Sequence, residues 1–503
     1  MEFELLKDEY WWGGMVHRGA EMPFDAESEA VIDLAEPENP NQASPFFLSS
    51  RGRILLGEKP FCVRFCKGTV RVTGAAELIR AGDSLKEAYL EGMRRGFPFE
   101  EKIPDPLFFS MPQYNTWIEL MQDQNEQGIL AYAEGILEHG LPAGILMIDD
   151  GWAADYGEFA FHPGKFADPR GMIRRLHEMG FRVMLWVCPY VSPDSAAFRA
   201  LEKMGCLLCG PDGQPAVRRW WNGWSAGLDL TNPDAEKWFQ ERLCGLMREY
   251  GVDGFKFDGG DPSFYRAEDR AYRSALPQEH ARQYALFAGK FRLNELRAGW
   301  NLGGRALVMR LNDKCHSWDQ DGLNMLIPNS LAQGLLGYAY HCPDMIGGGE
   351  FQSFLDQSDA LDRNLIVRYA QASALCPMMQ FSAAPWRVLD TARMEMVRRA
   401  AELHRQMGER ILALAEHAAK TGEPIMRHMA YEFPNEGFER VSDQFMLGSD
   451  ILAAPVLKRG AVSREVSLPS GRWKSADGQI LDGGRTVLVD APLDSLPYFE
   501  RME

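Results

Sequence analysis

The chain has 503 residues, 46% hydrophobic and 25% charged, which fits a folded protein too long for one ordinary core and excludes an intrinsically disordered one. Its formal net charge of −17 excludes a nucleic-acid partner, because phosphate backbones are held by concentrated Lys and Arg. No stretch reaches the roughly 18 apolar residues of a membrane span, and residues 1–8 lack the basic start and apolar run of a secretion signal.

Residues 1–103 carry turn clusters at Gly13-Gly14, 37–40 and 49–52 with short apolar runs between them, which predicts a β-rich, sandwich-like domain. Over 104–421 strand-like runs alternate with helical ones, the pattern of βα units. Strands are expected at 107–111, 145–148, 182–187, 252–258, 306–310, 337–341 and 378–381, with helices at 122–139, 171–180, 233–250 and 361–375. The helix at 233–250 has the strongest start signal, with Asn232 as N-cap, Pro233 at the first helical position and the acids Asp234 and Glu236 in the first turn. Seven strands can be placed, one short of a (β/α)₈ TIM barrel. A long helical run at 394–421 follows. Strands at 444–446, 451–457, 463–468 and 485–489 then predict a C-terminal β-sandwich over 422–503.

Nine cysteines spread through a large chain do not form a small disulfide framework, and a reducing cytoplasm is the expected setting. Cys206 and Cys209 have the spacing of half a zinc site, but no second pair stands at a matching distance; Cys62 and Cys66 read as small apolar residues. The ten histidines show no His-x-His or His-Glu-x-x-His spacing. Neither a metal nor a cofactor is expected.

The segment Val252-Asp253-Gly254-Phe255-Lys256-Phe257-Asp258-Gly259-Gly260-Asp261 is a short strand ending in an acidic, glycine-rich turn. Alternation puts Lys256 and Asp258 on the face opposite Phe255 and Phe257. On the catalytic face of a barrel, acids just after strands are the ones that matter, and here these are Asp149, Asp150, Asp258, Asp261, Asp313, Asp319, Asp321 and Asp344. Any one of them alone reads more readily as a helix cap or turn residue. Trp152, Trp186, Trp220, Trp221, Trp224, Trp318 and Trp386 recur beside them, so the expected ligand is a neutral sugar, its hydroxyls on carboxylates and its C–H faces on rings.

Glycosidic cleavage with retention needs two carboxyls roughly 5–5.5 Å apart, one ionised and one protonated. Asp258, with a cation two residues upstream, suits the ionised role. Asp321, preceded by Trp318-Asp319-Gln320, suits the protonated one.

Several segments resemble glycoside hydrolase family 31 in type and in order along the chain: 41–50, 159–172, 186–190, Leu228-Asp229-Leu230-Thr231-Asn232-Pro233, Pro343-Asp344-Met345-Ile346-Gly347-Gly348, 422–427 and 448–456. The resemblance implies an N-terminal β-sandwich, a (β/α)₈ barrel, C-terminal β domains and retaining exo-α-glycosidase activity. It implies that Asp258 is the nucleophile and that Asp321, in a Trp-x-x-Asp run, is the acid/base, with Asp313 and Asp319 as nearby alternatives. Asp149, Asp150, Trp186 and Trp386 are then expected to form the terminal-sugar pocket and Lys256 and Arg310 to orient Asp258 or bind hydroxyls, with Trp318 and Asp344 as further expected substrate-binding residues. Where α-glucosidases of the family carry Arg-Asn-His, this chain has Gln380-Phe381-Ser382. That departure and the Lys256-Phe257-Asp258 run look closer to the branch that contains bacterial α-galactosidases and the myogenesis-regulating glycosidase. An α-galactoside is therefore favoured, with α-glucosidase, α-N-acetylgalactosaminidase, sulfoquinovosidase, transglycosylase or silent sugar-binding protein as alternatives. The expected partner is a small oligosaccharide or glycoside; formation of a homo-oligomer is left open.

Overall fold

A computed structural model describes residues 1–36, 39–319, 321–357 and 360–502. Pro37 and Glu38 of the expected turn at 37–40, and Gln320 of the Trp-x-x-Asp run, lie outside the described residues.

Eight parallel strands make the central sheet: β1 (Gln113–Asn115), β2 (Ile145–Ile148), β3 (Arg182–Val187), β4 (Gly254–Phe257), β5 (Leu293–Leu296), β6 (Met309–Arg310), β7 (His341–Cys342) and β8 (Gln380–Phe381). They pair in the order β7-β6-β5-β4-β3-β2-β1-β8, so the sheet curls until β8 lies beside β1. Between β7 and β8 a single bond, Ile346 N to Gln380 O at 2.8 Å, stands where a ladder would close the barrel.

The expected strand at 107–111 is instead a short helix, Leu107–Ser110, and β1 begins after it. Asp105 accepts from Leu107 N at 3.0 Å behind Pro106, whose φ of −54° is already helical. Besides β1, which the reading displaced onto this helix, the strand absent from the sequence reading is β5. Its Leu-Asn-Glu-Leu sequence is polar in the middle yet fully buried, because Asn294 and Glu295 serve the barrel interior. The strands expected at 306–310, 337–341 and 378–381 shorten to two residues each. Their upstream parts make single bonds, such as Leu296 N to Val308 O and Met309 N to Tyr340 O, instead of a ladder. The helix Pro233–Tyr250 has the expected bounds, with Asn232 accepting from Asp234 N at 2.9 Å and Gly251 ending it at φ 84°.

Two antiparallel sheets precede the barrel. One pairs Glu2–Glu4, Thr69–Thr73, Cys62–Cys66 and Glu29–Asp33; the other joins Trp11–Met15, Gln42–Ser49, Arg53–Leu56 and Glu77–Arg80. Trp11, Trp12, Phe46 and Phe47 are buried between and around them, each contributing on the order of 2–3 kcal/mol of apolar burial. Gly299–Trp300, just after β5, adds to the second sheet beside Gln42 and Ala43. This graft brings residues 39–43 to the barrel mouth. Beyond the 31-residue helix Thr391–Thr421 come a six-stranded sheet and the pair Ser463–Leu468 with Arg485–Asp490. Among the described residues no helix is long and apolar enough to cross a membrane.

Candidate active site

The strand ends converge on a cleft of about 680 Å³, lined by Asp149, Asp150, Trp186, Lys256, Asp258, Asp261, Arg297 and Asp313. Trp117, Trp221, Phe264 and Phe351 supply its aromatic walls, and Asn39 and Pro40 reach it from the N-terminal sheets.

Asp258 follows β4, its backbone N donating to Val187 O at 2.8 Å. Gly259 and Gly260 then turn the chain at φ 69° and 72°, and the rings of Tyr190 and Tyr284 occupy the places where Cβ atoms would stand. The turn aims Gly259 N at Asp258 Oδ1, 2.8 Å away. Trp186 Nε1 donates to Oδ2 at 3.1 Å and Arg297 Nε to Oδ1 at 3.3 Å. Burial alone would raise this carboxyl, but Arg297, then Lys256 and Arg310, hold it well below the usual carboxylate range.

The sequence reading gives Lys256 to Asp258, whereas its Nζ is bonded to Asp149 Oδ2 at 2.6 Å, both side chains being 5% exposed or less. Lys256 acts on Asp258 through its field. Asp149 Oδ1 in turn accepts from Asp150 N at 2.9 Å. Asp150 Oδ2 accepts from Tyr156 OH at 2.9 Å and Asn222 Nδ2 at 2.5 Å, and burial, reinforced by the charges of Asp149 and Asp258, pushes its carboxyl up to about 7.

Four expected sugar contacts stand elsewhere than on the cleft wall. Arg310 is 1% exposed beneath the floor, its Nη1 bonded to Asp313 Oδ1 at 2.8 Å and Asp344 Oδ1 at 2.7 Å, because β6 points it into the barrel. Asp344 is wholly buried and also accepts from the backbone N of Lys314 and Gly349, so it ties loops together. Trp318 packs in the core and donates to Asp362, the cap of helix Arg363–Ser373. Trp386 stacks on His139 at 5.1 Å and fills the space over Gly135, on a helix outside the barrel.

Asp321 is 49% exposed, has a left-handed φ of 59° and, like Asp319, is not among the residues lining the cleft. The acidic surroundings expected for it are replaced by a cation, since Lys314 Nζ meets its Oδ1 at 2.6 Å. Asp313, three residues beyond Arg310, is the acid that faces the cleft directly. Asp319 bonds its own N to Ser317 Oγ and is not among the residues lining the cleft.

Arg297 escaped the sequence reading. It is one residue past β5, and its Nη1 and Nη2 grip Asp261 at 2.6 and 2.8 Å while its Nε reaches Asp258. Its only sequence signal was the Asp258 to Asp261 spacing, which holds two carboxylates apart by one guanidinium. Among the described residues no cluster of three or more His, Cys, Asp or Glu side chains is arranged to hold a metal ion.

Residues 109–409 match the family model described as Glycosyl hydrolases family 31 TIM-barrel domain, and residues 422–503 that described as Glycosyl hydrolase family 31 C-terminal domain. The chain is 35% identical to the myogenesis-regulating glycosidase of Mus musculus over 85% of its own length and 62% of that protein's. It is 28% identical to alpha-xylosidase XylQ of Lactiplantibacillus pentosus over 88% of its length and 60% of the relative's. It thus spans about three fifths of these relatives. A family 31 dextranase of Flavobacterium johnsoniae, solved with glucose, superposes with a TM-score of 0.87 at 20% identity, covering 100% of this chain and 66% of that one.

Proposed function

The chain belongs to glycoside hydrolase family 31, and we propose that it is a retaining, exo-acting α-glycosidase, with an α-galactoside as the preferred substrate. The observation that carries this reading is Asp258, a carboxylate fixed by Trp186, Gly259 N and Arg297 on the wall of a cleft and kept ionised there. In the first displacement an Asp258 oxygen attacks the anomeric carbon while Asp321 gives a proton to the leaving oxygen. In the second, Asp321 takes a proton from water, which opens the glycosyl ester and restores the α configuration. Asp149, Asp150 and Trp186 form the pocket for the terminal sugar.

Asp313 is the rival acid, since it faces the cleft. Asp321 is preferred because it stands in the Trp-x-x-Asp run and its carboxyl is half exposed, linked through Asn312 to the cleft that Asn312 lines. The sugar preference rests on the sequence resemblance of the Gln380-Phe381-Ser382 and Lys256-Phe257-Asp258 runs to the α-galactosidase branch, and not on a contact from Ser382, which is buried just past β8 with its Oγ accepting from Ile118 N at 2.7 Å. A cytoplasmic setting belongs to the same proposal and is supported by nine free thiols.

The test is a panel of 4-nitrophenyl α-glycosides of galactose, glucose, xylose, N-acetylgalactosamine and sulfoquinovose. The galactoside should be turned over fastest, and Asp258→Ala should abolish turnover; near-normal activity in that variant sinks the assignment. Product analysis at high acceptor concentration separates hydrolysis from transglycosylation.

A further inference from the structure

Lys314 is a lysine with almost no water. Its side chain is 1% exposed, and burying an ammonium is costly unless its donors are met. An ammonium has three N–H donors, and Nζ finds three acceptors in three different segments. Asp321 Oδ1 lies at 2.6 Å and Asn312 Oδ1 at 3.0 Å. The third is Asn329 Oδ1 at 3.1 Å, with the amide turned so that its nitrogen donates to Val16 O at 3.2 Å.

Each of those segments is itself anchored. Asn312 and Asn41 bond each other reciprocally, Asn41 Nδ2 to Asn312 Oδ1 at 2.7 Å and Asn312 N to Asn41 Oδ1 at 2.6 Å, which ties the site to the N-terminal sheets. Asn329 is on helix Leu323–Leu335 and holds the turn Val16–Glu21. The exposed partner is Asp321, its backbone in the left-handed region and its carbonyl accepting from Cys315 N at 3.0 Å.

We infer that Lys314 is a positioning residue for the acid/base step: it clamps Oδ1 of Asp321 so that Oδ2 faces the leaving group. Oδ2 has only a long bond to Asn312 Nδ2, 3.3 Å, and is the oxygen free to carry the proton. The inference rests on the reading of Asp321 as the acid/base. It extends that reading to a residue that does not touch the sugar and to the N-terminal domain behind it.

The experiment compares two glycosides of the preferred sugar, one with a 2,4-dinitrophenyl leaving group and one with a methyl leaving group. The first departs without protonation and the second cannot. Positioned acid catalysis is worth roughly a hundredfold or more, so Lys314→Met should lose about that factor in kcat/KM on the methyl glycoside and less than about threefold in kcat/KM on the dinitrophenyl one, kcat/KM being the readout because it stops at glycosylation, before Asp321 acts as base. Lys314→Arg, which keeps a cation there, should recover most of the loss. If Lys314→Met fails to fold, Asn312→Ala must show the same split. Equal losses on both substrates, with Asp321→Ala showing the split, would falsify the inference and leave Lys314 a structural residue. Absence of a split in Asp321→Ala itself would instead remove the acid/base assignment on which it stands.

Discussion

Arg297 and Asp258 are joined by a charge-assisted hydrogen bond of 3.3 Å, and the arginine is aimed by Asp261, which takes its other two nitrogens at 2.6 and 2.8 Å. The Trp221 ring covers the guanidinium at 5.5 Å. Asp261 therefore spends its charge on orientation, and Arg297 spends its own on keeping Asp258 ionised.

Removing that cation has a defined sign. Burial raises the Asp258 carboxyl and Arg297 is the largest influence holding it down, so Arg297→Met raises its pKa. A nucleophile works only when ionised, so the acid limb of kcat/KM moves to higher pH. We expect activity at pH 5 to fall much further than at pH 8, with a loss of about a hundredfold or more at the optimum. A pH–rate profile on an aryl glycoside checks this; an unmoved acid limb contradicts it.

Lys256 and Asp149 form a buried pair at 2.6 Å, and the cost of breaking it is carried by whichever charge remains. Lys256→Met leaves Asp149 buried without its cation and should destabilise the fold by about 3–5 kcal/mol. Adding Asp149→Asn should return most of that loss. Urea unfolding of the two single variants and the double variant gives the coupling directly, and simple additivity would show that the pair does not interact.

The barrel was legible wherever its strands were apolar, as in β2 and β3, because a buried parallel strand reads as a continuous hydrophobic run. It was illegible at β5. There Glu295 points inward to Gln380 Nε2 at 2.7 Å and near Arg310, a polar layer under the cleft that breaks the run. Losing β5 also hid Arg297, one residue beyond it. In the site, acids at strand ends could be found from spacing, and Asp149, Asp150 and Asp258 do share the cleft. Which tryptophan lines the cleft could not, since Trp186, which does, and Trp386, which does not, are alike in sequence and differ only in which element carries them. Partner choice was equally hidden: two residues along a strand set a shared face, but the end of β2, two strands away across the barrel mouth, supplied the nearer carboxylate to Lys256.

Ser382 also separates sequence position from site position. Its side chain is buried and bonded to Ile118 N, with Tyr132 OH donating to its carbonyl at 2.9 Å. A histidine there would be overpacked. Ser382→His should cost about 1–3 kcal/mol and confer no α-glucosidase activity. Thermal unfolding and the aryl-glycoside panel together check it, and a gain of glucoside turnover would show that position 382 reaches the sugar.

Asp150 gives a prediction in which pH acts on stability through one carboxyl. Its folded pKa is pushed up to about 7 from 3.8 by burial and by the charges of Asp149 and Asp258. Between those values the folded protein holds a proton that the unfolded chain has lost, so this group's contribution falls as pH rises from about 4 to 7 and is flat beyond. The full penalty is on the order of 4 kcal/mol, taking 1.36 kcal/mol per pKa unit as an upper bound. Asp150→Asn keeps an oxygen for Tyr156 and Asn222 but has no proton to lose. The variant should match the native chain in stability near pH 4 and exceed it by a few kcal/mol at pH 8, while losing turnover because the sugar pocket loses its carboxylate. Denaturation curves for both proteins across that range decide the matter. A parallel pH dependence in the variant would place the titration in another group, and Asp344, also pushed up to about 7, would be the next to replace.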